Sequence, residues 1–414
     1  MNEYDVIVVG TGPGGATVAR DLARRKKKVL ILEQGGWDTT IHIPKMLRNR
    51  EMLFMNKGRT LVRGIRTGGS SVLYYGTAHE PPEHYFERYG VSLAKETEEL
   101  KKELPIAPLR DELIGPAART IMESAEHLHL PWKKLNKFID QSMCTPGHIP
   151  FEAQWNAAKF VQEALDSGAV LMNGAAVNKV LVQERKAVGV EYTVNHKSVA
   201  AYAPRIVLSA GGIGSPAILR RSGIERAGDG FFCDPLVIVQ GVADGIRAGN
   251  EIPMAAGIHV PEDGYMLTDL TVPKLVYQLF TAQALRFHRI HQHAKTLAIM
   301  VKIKDSIGGV ITREGKPIRD FTDEDRRKMK RGYERAKSIL TAAGAKHIYT
   351  TRWTAAHPGG SVRIGDLVDS NLATEYENLF VCDASVIPTE WGLPPTFTVL
   401  ALAKRLAKHL LGNG

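Results

Sequence analysis

The start of the chain constrains the fold more than any other part. A β-branched run from Asp5 to Val9 leads into the glycine-rich turn GTGPGG, and a helix-prone stretch follows from about Gly14 to Arg25. A second apolar run, from Lys28 to Leu32, comes directly after it. This order is typical of a parallel strand–helix–strand unit. The sequence therefore predicts a mixed α/β fold that contains a Rossmann-like domain.

Three glycines in this turn have the spacing G-x-G-x-x-G, namely Gly10, Gly12 and Gly15. The first permits a tight turn, the second lets a pyrophosphate approach the backbone, and the third allows close packing of the helix on the strand. The helix start at Pro13 and Gly14 offers free N–H groups to the phosphates. Glu33 ends the second strand, where a carboxylate can accept hydrogen bonds from ribose hydroxyls. These residues predict a dinucleotide site without distinguishing FAD from NAD.

The C-terminal end favours a flavin. A strand from Leu379 to Cys382 is followed by Asp383 and Ala384, and a final amphipathic helix begins near Pro395 and Thr396. A helix N-terminus aimed at the pyrimidine edge of a flavin would stabilise the negative charge that develops when the flavin is reduced. An ordinary edge strand with a packing helix is the alternative interpretation of the same residues.

The rest of the chain alternates between strands and helices. We predict helices over 151–165, 323–343 and 396–411, strands over 177–182, 188–192 and 205–209 that form a small meander, and a strand over 296–301. In the segment AGGIGSPAILRRSGI, Ser215 and Pro216 have the residue types of a helix N-cap and a first-turn proline. This segment predicts a second strand–turn–helix connection.

Length and composition exclude several classes of protein. The 414 residues suggest two or three domains, and an apolar fraction of 44% with 24% charged residues is that of an ordinary globular chain. Apolar runs are too short for a membrane-spanning helix, and the N-terminus lacks the pattern of a secretory leader. Three widely spaced cysteines indicate neither disulfides nor a zinc site. We therefore expect a cytoplasmic protein. The net charge of +10 carries no nucleic-acid motif with it, so we expect no nucleic-acid partner.

Five segments together resemble the glucose-methanol-choline (GMC) oxidoreductases. They are GTGPGGATVAR at the N-terminus, RTGGSS, SPAILRRSGI, HPGGSVRIG from His357, and NLFVCDASVIP with the last helix. The resemblance covers most of the chain, although the stretch from about Arg226 to Gly308 matches only loosely. It implies a FAD-binding domain interleaved with a smaller substrate-binding domain that contains a β-sheet and helices. We place the FAD-binding domain at 1–80, 151–225 and 350–414, and the substrate-binding domain at 81–150 and 226–349.

The resemblance also implies the chemistry. The histidine that opens the family's HxxG segment, here His357, acts as the base toward a substrate hydroxyl while hydride passes to flavin N5. An imidazole suits this role because it titrates near neutral pH. We expect additional cofactor contacts at Gly69, Ser70, Val177 and Ala210.

Two positions depart from the family pattern. Pro394 stands where the family usually has Asn or His, and proline has no side-chain donor or acceptor. Tyr74 stands where an Asn is often found, and its phenol is a candidate to replace the missing contact. Val72, Leu73 and Tyr74 occupy the places where some members attach the flavin through His or Cys, so we expect a non-covalent FAD.

Other chemically interesting residues have ordinary explanations. His288, His291 and His293 lie too close in sequence to point one way, and we expect no metal. Cys144 fits a packed thiol beside a turn. The stretch from Leu267 to Leu285 suggests core or pocket wall, with a lipid-facing patch as the alternative. Three arginines are candidates to contact pyrophosphate or an anionic substrate, or to lie in a solvated loop: Arg59, Arg63 and Arg66.

These inferences lead to one functional hypothesis and its alternatives. We predict a FAD-dependent alcohol dehydrogenase that acts on a CH–OH group, with an oxidase less favoured, and with a quinone, a carrier protein or oxygen as the electron acceptor. One alternative is a redox-neutral lyase or isomerase, which is suggested by Pro394 in place of the usual Asn or His. Another is a non-catalytic flavin-carrying subunit. The sequence specifies neither the alcohol nor the oligomeric state.

Overall fold

The computed structural model describes residues 3–38, 43–56 and 59–412. These residues form ten α-helices, which are α1 (Pro13–Arg24), α2 (Ile43–Arg48), α3 (His84–Glu87), α4 (Ala94–Glu103), α5 (Pro116–His127), α6 (Ala157–Asp166), α7 (Gly211–Arg221), α8 (Lys274–Gln283), α9 (Asp323–Ala342) and α10 (Thr396–Leu410). None of these described helices has both the length and the apolar character that crossing a bilayer requires.

The same described residues form 22 strands. They are β1 (Val6–Val9), β2 (Val29–Glu33), β3 (Met52–Phe54), β4 (Thr60–Val62), β5 (Ile106–Pro108), β6 (Lys133–Lys134), β7 (Asn136–Phe138), β8 (Val170–Asn173), β9 (Ala176–Gln183), β10 (Lys186–Val194), β11 (Lys197–Tyr202), β12 (Ile206–Leu208), β13 (Asp229–Phe231), β14 (Pro235–Val242), β15 (Ala256–Val260), β16 (Tyr265–Asp269), β17 (Thr296–Ile303), β18 (Gly308–Ile311), β19 (Pro317–Ile318), β20 (Lys346–Thr350), β21 (Thr354–Ala355) and β22 (Leu379–Val381).

A five-stranded parallel sheet forms the first layer, in the order β22-β12-β1-β2-β8. Its central strands are short apolar runs that are fully buried, as strands covered on both faces must be. The chain leaves β1 toward β2 on one side, whereas β12 lies on the other side of β1. This change of direction between β1 and β12 is the switch point at which Rossmann-like sheets bind their ligands. The Rossmann-like fold predicted from the N-terminal unit is confirmed.

A nine-stranded sheet forms the second layer, in the order β3-β4-β21-β14-β17-β16-β15-β6, with β20 also paired to β14. Side chains alternate between its faces along each strand. On β17, Ile299 and Val301 point toward α5 and α9, where they join one apolar cluster. Ala298 and Met300 belong to a different cluster on the opposite face, together with Tyr277 of α8. Lys302 continues this second row, so a lysine stands on the face that is turned away from α5 and α9.

Three smaller sheets complete the fold: β9, β10 and β11; β13, β18 and β19; and β5 with β7. Strands β3, β4 and β21 come from segments that the sequence assigned to the FAD-binding domain, and they pair within the nine-stranded sheet. The domain boundaries stay a prediction, and their outer ends at residues 1 and 414 lie outside the described residues.

Most predicted elements agree with the structure, and three differ. The first two strands, α9 and α10 lie where the patterns place them, and Thr322 with Asp325 forms a capping box at the start of α9. Residues 151–153 form only a short 3-10 turn, because α6 begins after its cap at Asn156. The third strand of the meander is β11, whereas 206–208 belongs to the parallel sheet.

The predicted helix cap at Ser215 and Pro216 is wrong. Helix α7 begins earlier, at Gly211, and both residues lie inside it. Pro216 is the sixth residue of α7 and has no N–H to donate to the Gly212 carbonyl oxygen, which accepts from the Ser361 hydroxyl at 2.9 Å instead. The Ser215 hydroxyl instead donates a hydrogen bond to the Asp383 carboxylate.

Candidate functional site

A cavity of about 770 Å³ opens at the carboxyl ends of the parallel strands. The segments that follow β1 and β12 line its middle, with Gly10 and Ala210 at the switch point. Glu33 lines it at the end of β2, and Asp383 lines it just after β22. The topology therefore brings together residues that are more than 370 positions apart in the sequence.

Glycines shape the wall of this cavity for two different reasons. A Cβ atom on Gly10, whose φ is 96°, would lie 2.3 Å from the carbonyl oxygen of Ser209. A Cβ on Gly14 would lie 1.9 Å from the carbonyl oxygen of Cys382, and one on Gly15 would lie 2.1 Å from that of Gly10. A Cβ on Gly12 would meet nothing within 4 Å. Packing within the protein requires glycine at positions 10, 14 and 15, whereas Gly12 keeps open the space that a pyrophosphate needs.

All of the predicted cofactor residues except Gly15 line the cavity. Those that do are Gly10, Gly12, Pro13, Gly14, Glu33, Gly69, Ser70, Val177, Ala210, Asp383, Ala384, Pro395 and Thr396. Gly15 instead packs against the backbone of Gly10, which matches the helix-to-strand packing expected of the third glycine. His357 lines the same cavity. Their contacts with a cofactor stay a prediction.

Two buried carboxylates hold the rim of the cavity together. The Glu33 carboxylate accepts hydrogen bonds from the Thr11 N–H at 3.0 Å and hydroxyl at 2.5 Å, and from the Gly35 N–H at 2.8 Å. Burial raises the pKa of Glu33, against the opposing effect of these hydrogen bonds. The Asp383 carboxylate accepts from the Gly211 N–H at 2.9 Å and from the Ser215 hydroxyl at 2.5 Å. Ser215 therefore fixes Asp383, and through it the start of α7, instead of capping a helix.

His357 makes one side-chain contact that defines its chemistry. Its Nδ1 lies 3.2 Å from Oδ2 of Asp234, a carboxylate that is fully buried, while the ring itself is about 30% exposed. Since a carboxylate can only accept, a neutral imidazole here carries its hydrogen on Nδ1 and leaves Nε2 as the proton-accepting nitrogen. Both residues have left-handed backbone, with φ of 51° at His357 and 46° at Asp234. Such strained positions cluster at functional sites.

Burial and charge lower the pKa of His357. Desolvation has the largest effect, the positive charge of Lys302 adds to it, and Asp234 acts in the opposite direction. The imidazole is therefore held in its neutral form to a lower pH than an exposed histidine. A neutral imidazole with a fixed tautomer is able to act as a general base.

A buried network of charges lies behind Asp234. Its Oδ2 is 3.5 Å from Nζ of Lys302, and its Oδ1 accepts from the Gly392 N–H at 2.9 Å. The Asp234 N–H donates to Oδ1 of Asp305 at 2.9 Å, and Asp305 pairs with Arg319 at 2.8 Å. We call Asp234, Lys302, Asp305 and Arg319 the buried charge network. All four are at most 2% exposed, so their charges must balance one another.

Sequence reasoning missed this network. Its members lie between 234 and 319, and the loosely matching stretch covers three of the four. One signal was available, because Lys302 interrupts the apolar run LAIMVKI of a strand that is buried throughout. A lysine in such a strand needs a buried partner.

The two departures from the family pattern have different surroundings. The Tyr74 phenol donates to the carbonyl oxygen of Trp155 at 2.5 Å, and burial raises the pKa of Tyr74 well above its ordinary value. Tyr74 lines the cavity, but its hydroxyl hydrogen is already engaged. Pro394 is buried next to the start of α10 and is not among the residues that line the cavity.

The three candidate arginines lie in different surroundings. Arg63 lines the cavity, and burial lowers its pKa to about 10. Arg66 pairs with the buried Glu51 at 2.6 Å. Arg59 lies 3.6 Å from Asp320 and stacks over the Phe321 ring. Only Arg63 of the three faces the cavity.

The remaining candidates lie away from the cavity. Nε2 of His293 is 2.8 Å from the carbonyl oxygen of Val272. Within the described residues, no group of three or more His, Cys, Asp or Glu side chains has the arrangement of a metal site. Cys144 is buried, its Sγ lies 3.5 Å from the carbonyl oxygen of Asp140, and burial raises its pKa.

Comparison with known proteins decides the family. A family model described as GMC oxidoreductase matches residues 4–237 with its N-terminal part and residues 311–403 with its C-terminal part. The chain belongs to the GMC oxidoreductase family. Its cofactor is FAD, and the open space at Gly12, the buried rim carboxylates and the helix start at Pro395 fit that cofactor.

Relatives of this GMC oxidoreductase span its whole length. An uncharacterized protein of Methanocaldococcus jannaschii is 26% identical over 99% of this chain and 100% of its own. A long-chain-alcohol oxidase of Arabidopsis thaliana is 22% identical over 98% of this chain and 68% of its own.

Solved structures agree on the fold. Pyridoxine 4-oxidase from Mesorbium loti superposes with a TM-score of 0.76 at 19% identity, covering 98% of this chain and 99% of its own. A formate oxidase variant of Aspergillus oryzae gives a TM-score of 0.77 at 16% identity, covering 99% and 98%.

Proposed function

We propose that this GMC oxidoreductase oxidises the CH–OH group of an alcohol, with His357 as the base. The observation that carries this proposal is the contact between Nδ1 of His357 and the buried Asp234 on the wall of the cofactor cavity. It fixes one tautomer and points the basic nitrogen away from the carboxylate. Burial and the positive charge of Lys302, which lower the pKa of His357, keep the ring neutral. The alcohol oxidase among the relatives supports the same substrate class.

The chain's own residues supply the proton transfer. His357 accepts the hydroxyl proton at Nε2, and the adjacent Asp234 carboxylate stabilises the imidazolium that forms. When bound, FAD supplies the acceptor for the hydride that leaves the carbinol carbon. The buried charge network holds the Asp234 side chain in place, since its two oxygens contact Lys302 and the Gly392 N–H.

Pro394 and Tyr74 leave His357 as the main contact for the substrate oxygen. Proline offers no hydrogen bond, and the Tyr74 hydroxyl donates to Trp155. We infer that the hydroxyl is positioned by His357 and by the shape of the cavity, without the second polar side chain usual at position 394.

The electron acceptor separates a dehydrogenase from an oxidase. We retain the dehydrogenase as our proposal, while the named relatives include oxidases. Reoxidation of the reduced protein in air-saturated buffer, followed by flavin absorbance and by hydrogen peroxide, distinguishes the two. Slow reoxidation that a quinone accelerates supports the dehydrogenase, and rapid stoichiometric peroxide formation contradicts it.

The flavin is proposed to be non-covalent, since Val72, Leu73 and Tyr74 provide no His or Cys for attachment. Acid precipitation of the purified protein should leave yellow flavin in the supernatant. Flavin retained in the pellet would contradict this expectation.

An anaerobic titration of purified holoprotein with a panel of alcohols tests the proposed function. At least one alcohol should bleach the flavin absorbance, and His357→Ala should slow that reduction by ~10²- to 10⁴-fold while it retains the flavin. His148→Ala removes an exposed imidazole that is distant from His357 in the sequence, and it serves as the matched control. A flavin that stays oxidised with every alcohol would favour a redox-neutral lyase or isomerase.

A further inference from the structure

One surface segment carries positive charge and no acidic residue. Between Asp269 and Asp305 the chain contains no aspartate or glutamate, although it has 44 acidic residues overall. Within this stretch, residues 273–295 comprise α8 and the two short turns that follow it. We call residues 273–295 the basic segment.

The basic segment carries the most exposed large apolar side chains of the described structure. Leu285 is 70% exposed, and Leu275 and Phe287 are each 61% exposed. Helix α8 presents Tyr277 and Thr281 to the interior, so Leu275 stands on its outer side. Three such side chains within one short segment suggest an interaction surface, since extended exposed apolar patches mark sites of protein or membrane contact.

The fold holds this segment in place from the inside. The Tyr277 hydroxyl donates to the carbonyl oxygen of Arg289 at 2.8 Å, and the Thr281 and Tyr349 hydroxyls are 3.3 Å apart. Nε2 of His293 contacts the carbonyl oxygen of Val272 at 2.8 Å. The exposed leucines and phenylalanine are therefore displayed by an anchored element.

Within the described residues, the cations of the basic segment have no acidic partners. Lys274, Arg286, Arg289 and Lys295 form no ion pair in the part of the chain that the structure describes. Arg286 instead lies over the Tyr349 ring, and Arg289 donates to the Gln292 side chain. His288 and His291 are exposed beside them. The surface thus combines protruding apolar side chains with unpaired positive charge.

We propose that the basic segment docks onto an anionic lipid bilayer. Leu275, Leu285 and Phe287 would enter the boundary between headgroups and acyl chains, while the neighbouring cations face the lipid phosphates. Amphipathic elements that lie in a membrane interface have this composition, with apolar residues on one side and Lys or Arg around them. The absence of acidic side chains favours a negatively charged surface over a neutral one. This proposal does not depend on the reaction that the cavity performs.

Vesicle sedimentation with the full-length holoprotein tests the proposal. The protein should pellet with vesicles of phosphatidylcholine mixed with phosphatidylglycerol, and much less with phosphatidylcholine alone. A double substitution, Leu285→Asp with Phe287→Asp, should abolish the pelleting. Reversal of two charges, Arg286→Glu with Lys295→Glu, should weaken it by at least ~10-fold, and added salt should weaken it for the wild type.

Two control variants test the location of the surface. Phe54→Asp changes another exposed apolar residue, at 58% exposure, and Lys197→Glu changes an exposed cation on β11. Both should bind vesicles like the wild type, and all variants should retain flavin absorbance as proof of folding.

Three results would overturn the proposal. They are no binding to either vesicle, equal binding to both, and unchanged binding after the Leu285 and Phe287 substitutions. If the protein does not bind vesicles but forms a concentration-dependent dimer that these two substitutions abolish, the surface binds a second copy of the chain instead.

Discussion

The two walls of the cofactor cavity are built in opposite ways. One wall is main chain, where Gly10, Gly12 and Gly14 expose backbone at the end of a parallel strand. The other wall carries His357, whose imidazole contacts Asp234 of the buried charge network. The four residues of that network are at most 2% exposed. The backbone wall needs the absence of side chains, whereas the charged wall needs particular side chains with balanced charges.

The two walls are therefore sensitive to different substitutions. In the backbone wall an added methyl group either clashes with the protein or intrudes on the cofactor. In the charged wall the removal of one partner leaves another charge unpaired in the interior, which is strongly destabilising.

Two glycine substitutions should break the backbone wall in different ways. Gly14→Val should destabilise the fold by more than ~3 kcal/mol, because even its Cβ would lie 1.9 Å from the Cys382 carbonyl oxygen. Gly12→Ala should fold normally, since φ of −63° suits alanine and nothing lies within 4 Å of the added atom. It should nevertheless bind FAD more weakly. Thermal unfolding of the apoproteins and titration with FAD measure both effects.

Each of these two glycine variants serves as the control for the other. If Gly12→Ala unfolds like Gly14→Val, the space beside Gly12 serves packing and not the cofactor. If Gly12→Ala binds FAD like the wild type, the pyrophosphate lies elsewhere in the cavity.

Asp234→Asn should disturb the charged wall. An asparagine has one oxygen for three donors, which are His357 Nδ1–H, Lys302 Nζ and the Gly392 N–H. Either the imidazole tautomer or the backbone contact is therefore lost. We expect flavin reduction to slow by about 10²-fold, as misplacement of a reacting group does. Rapid mixing with a substrate alcohol without air measures this rate.

Asp234→Glu is the matched variant, because it keeps the charge and lengthens the side chain. It should recover part of the rate that Asp234→Asn loses. Equal rates for the wild type and Asp234→Asn would show that the carboxylate does not position His357.

Tyr74→Phe should have the smallest effect. It removes the hydrogen bond to the Trp155 carbonyl oxygen and should lower the free energy of unfolding by ~1–2 kcal/mol. Flavin reduction should be unchanged, because the hydroxyl hydrogen is engaged with Trp155. A large loss of rate with unchanged stability would show that Tyr74 replaces the residue missing at Pro394.

The sequence was sufficient for the backbone wall. Gly10, Gly12 and Gly15 follow a spacing whose physical demands are local, and the strand and helix around them have clear apolar patterns. The resemblance to the family added His357 and the residues after β22. All of these except Gly15 line the cavity, and their contacts with FAD stay a prediction.

The charged wall could not be predicted from the sequence, because its residues come into contact only in the folded chain. Asp234, Lys302, His357 and Gly392 come from four distant segments, and no short spacing connects them. Ser215 shows the same limit on a smaller scale, since its type and its neighbour Pro216 fit a helix cap. Its contact with Asp383 depends on a strand 168 positions away.

The pH dependence of flavin reduction in two variants tests the central claim most directly. The rate should rise with pH as His357 loses its proton, below the ordinary range of a histidine because burial and Lys302 lower its pKa. Lys302→Met removes a positive charge and should move this rise to higher pH, whereas Asp234→Asn removes a negative charge and should move it to lower pH. Shifts in opposite directions support His357 as a base controlled by the buried charge network. A rise that stays in place in both variants would contradict it.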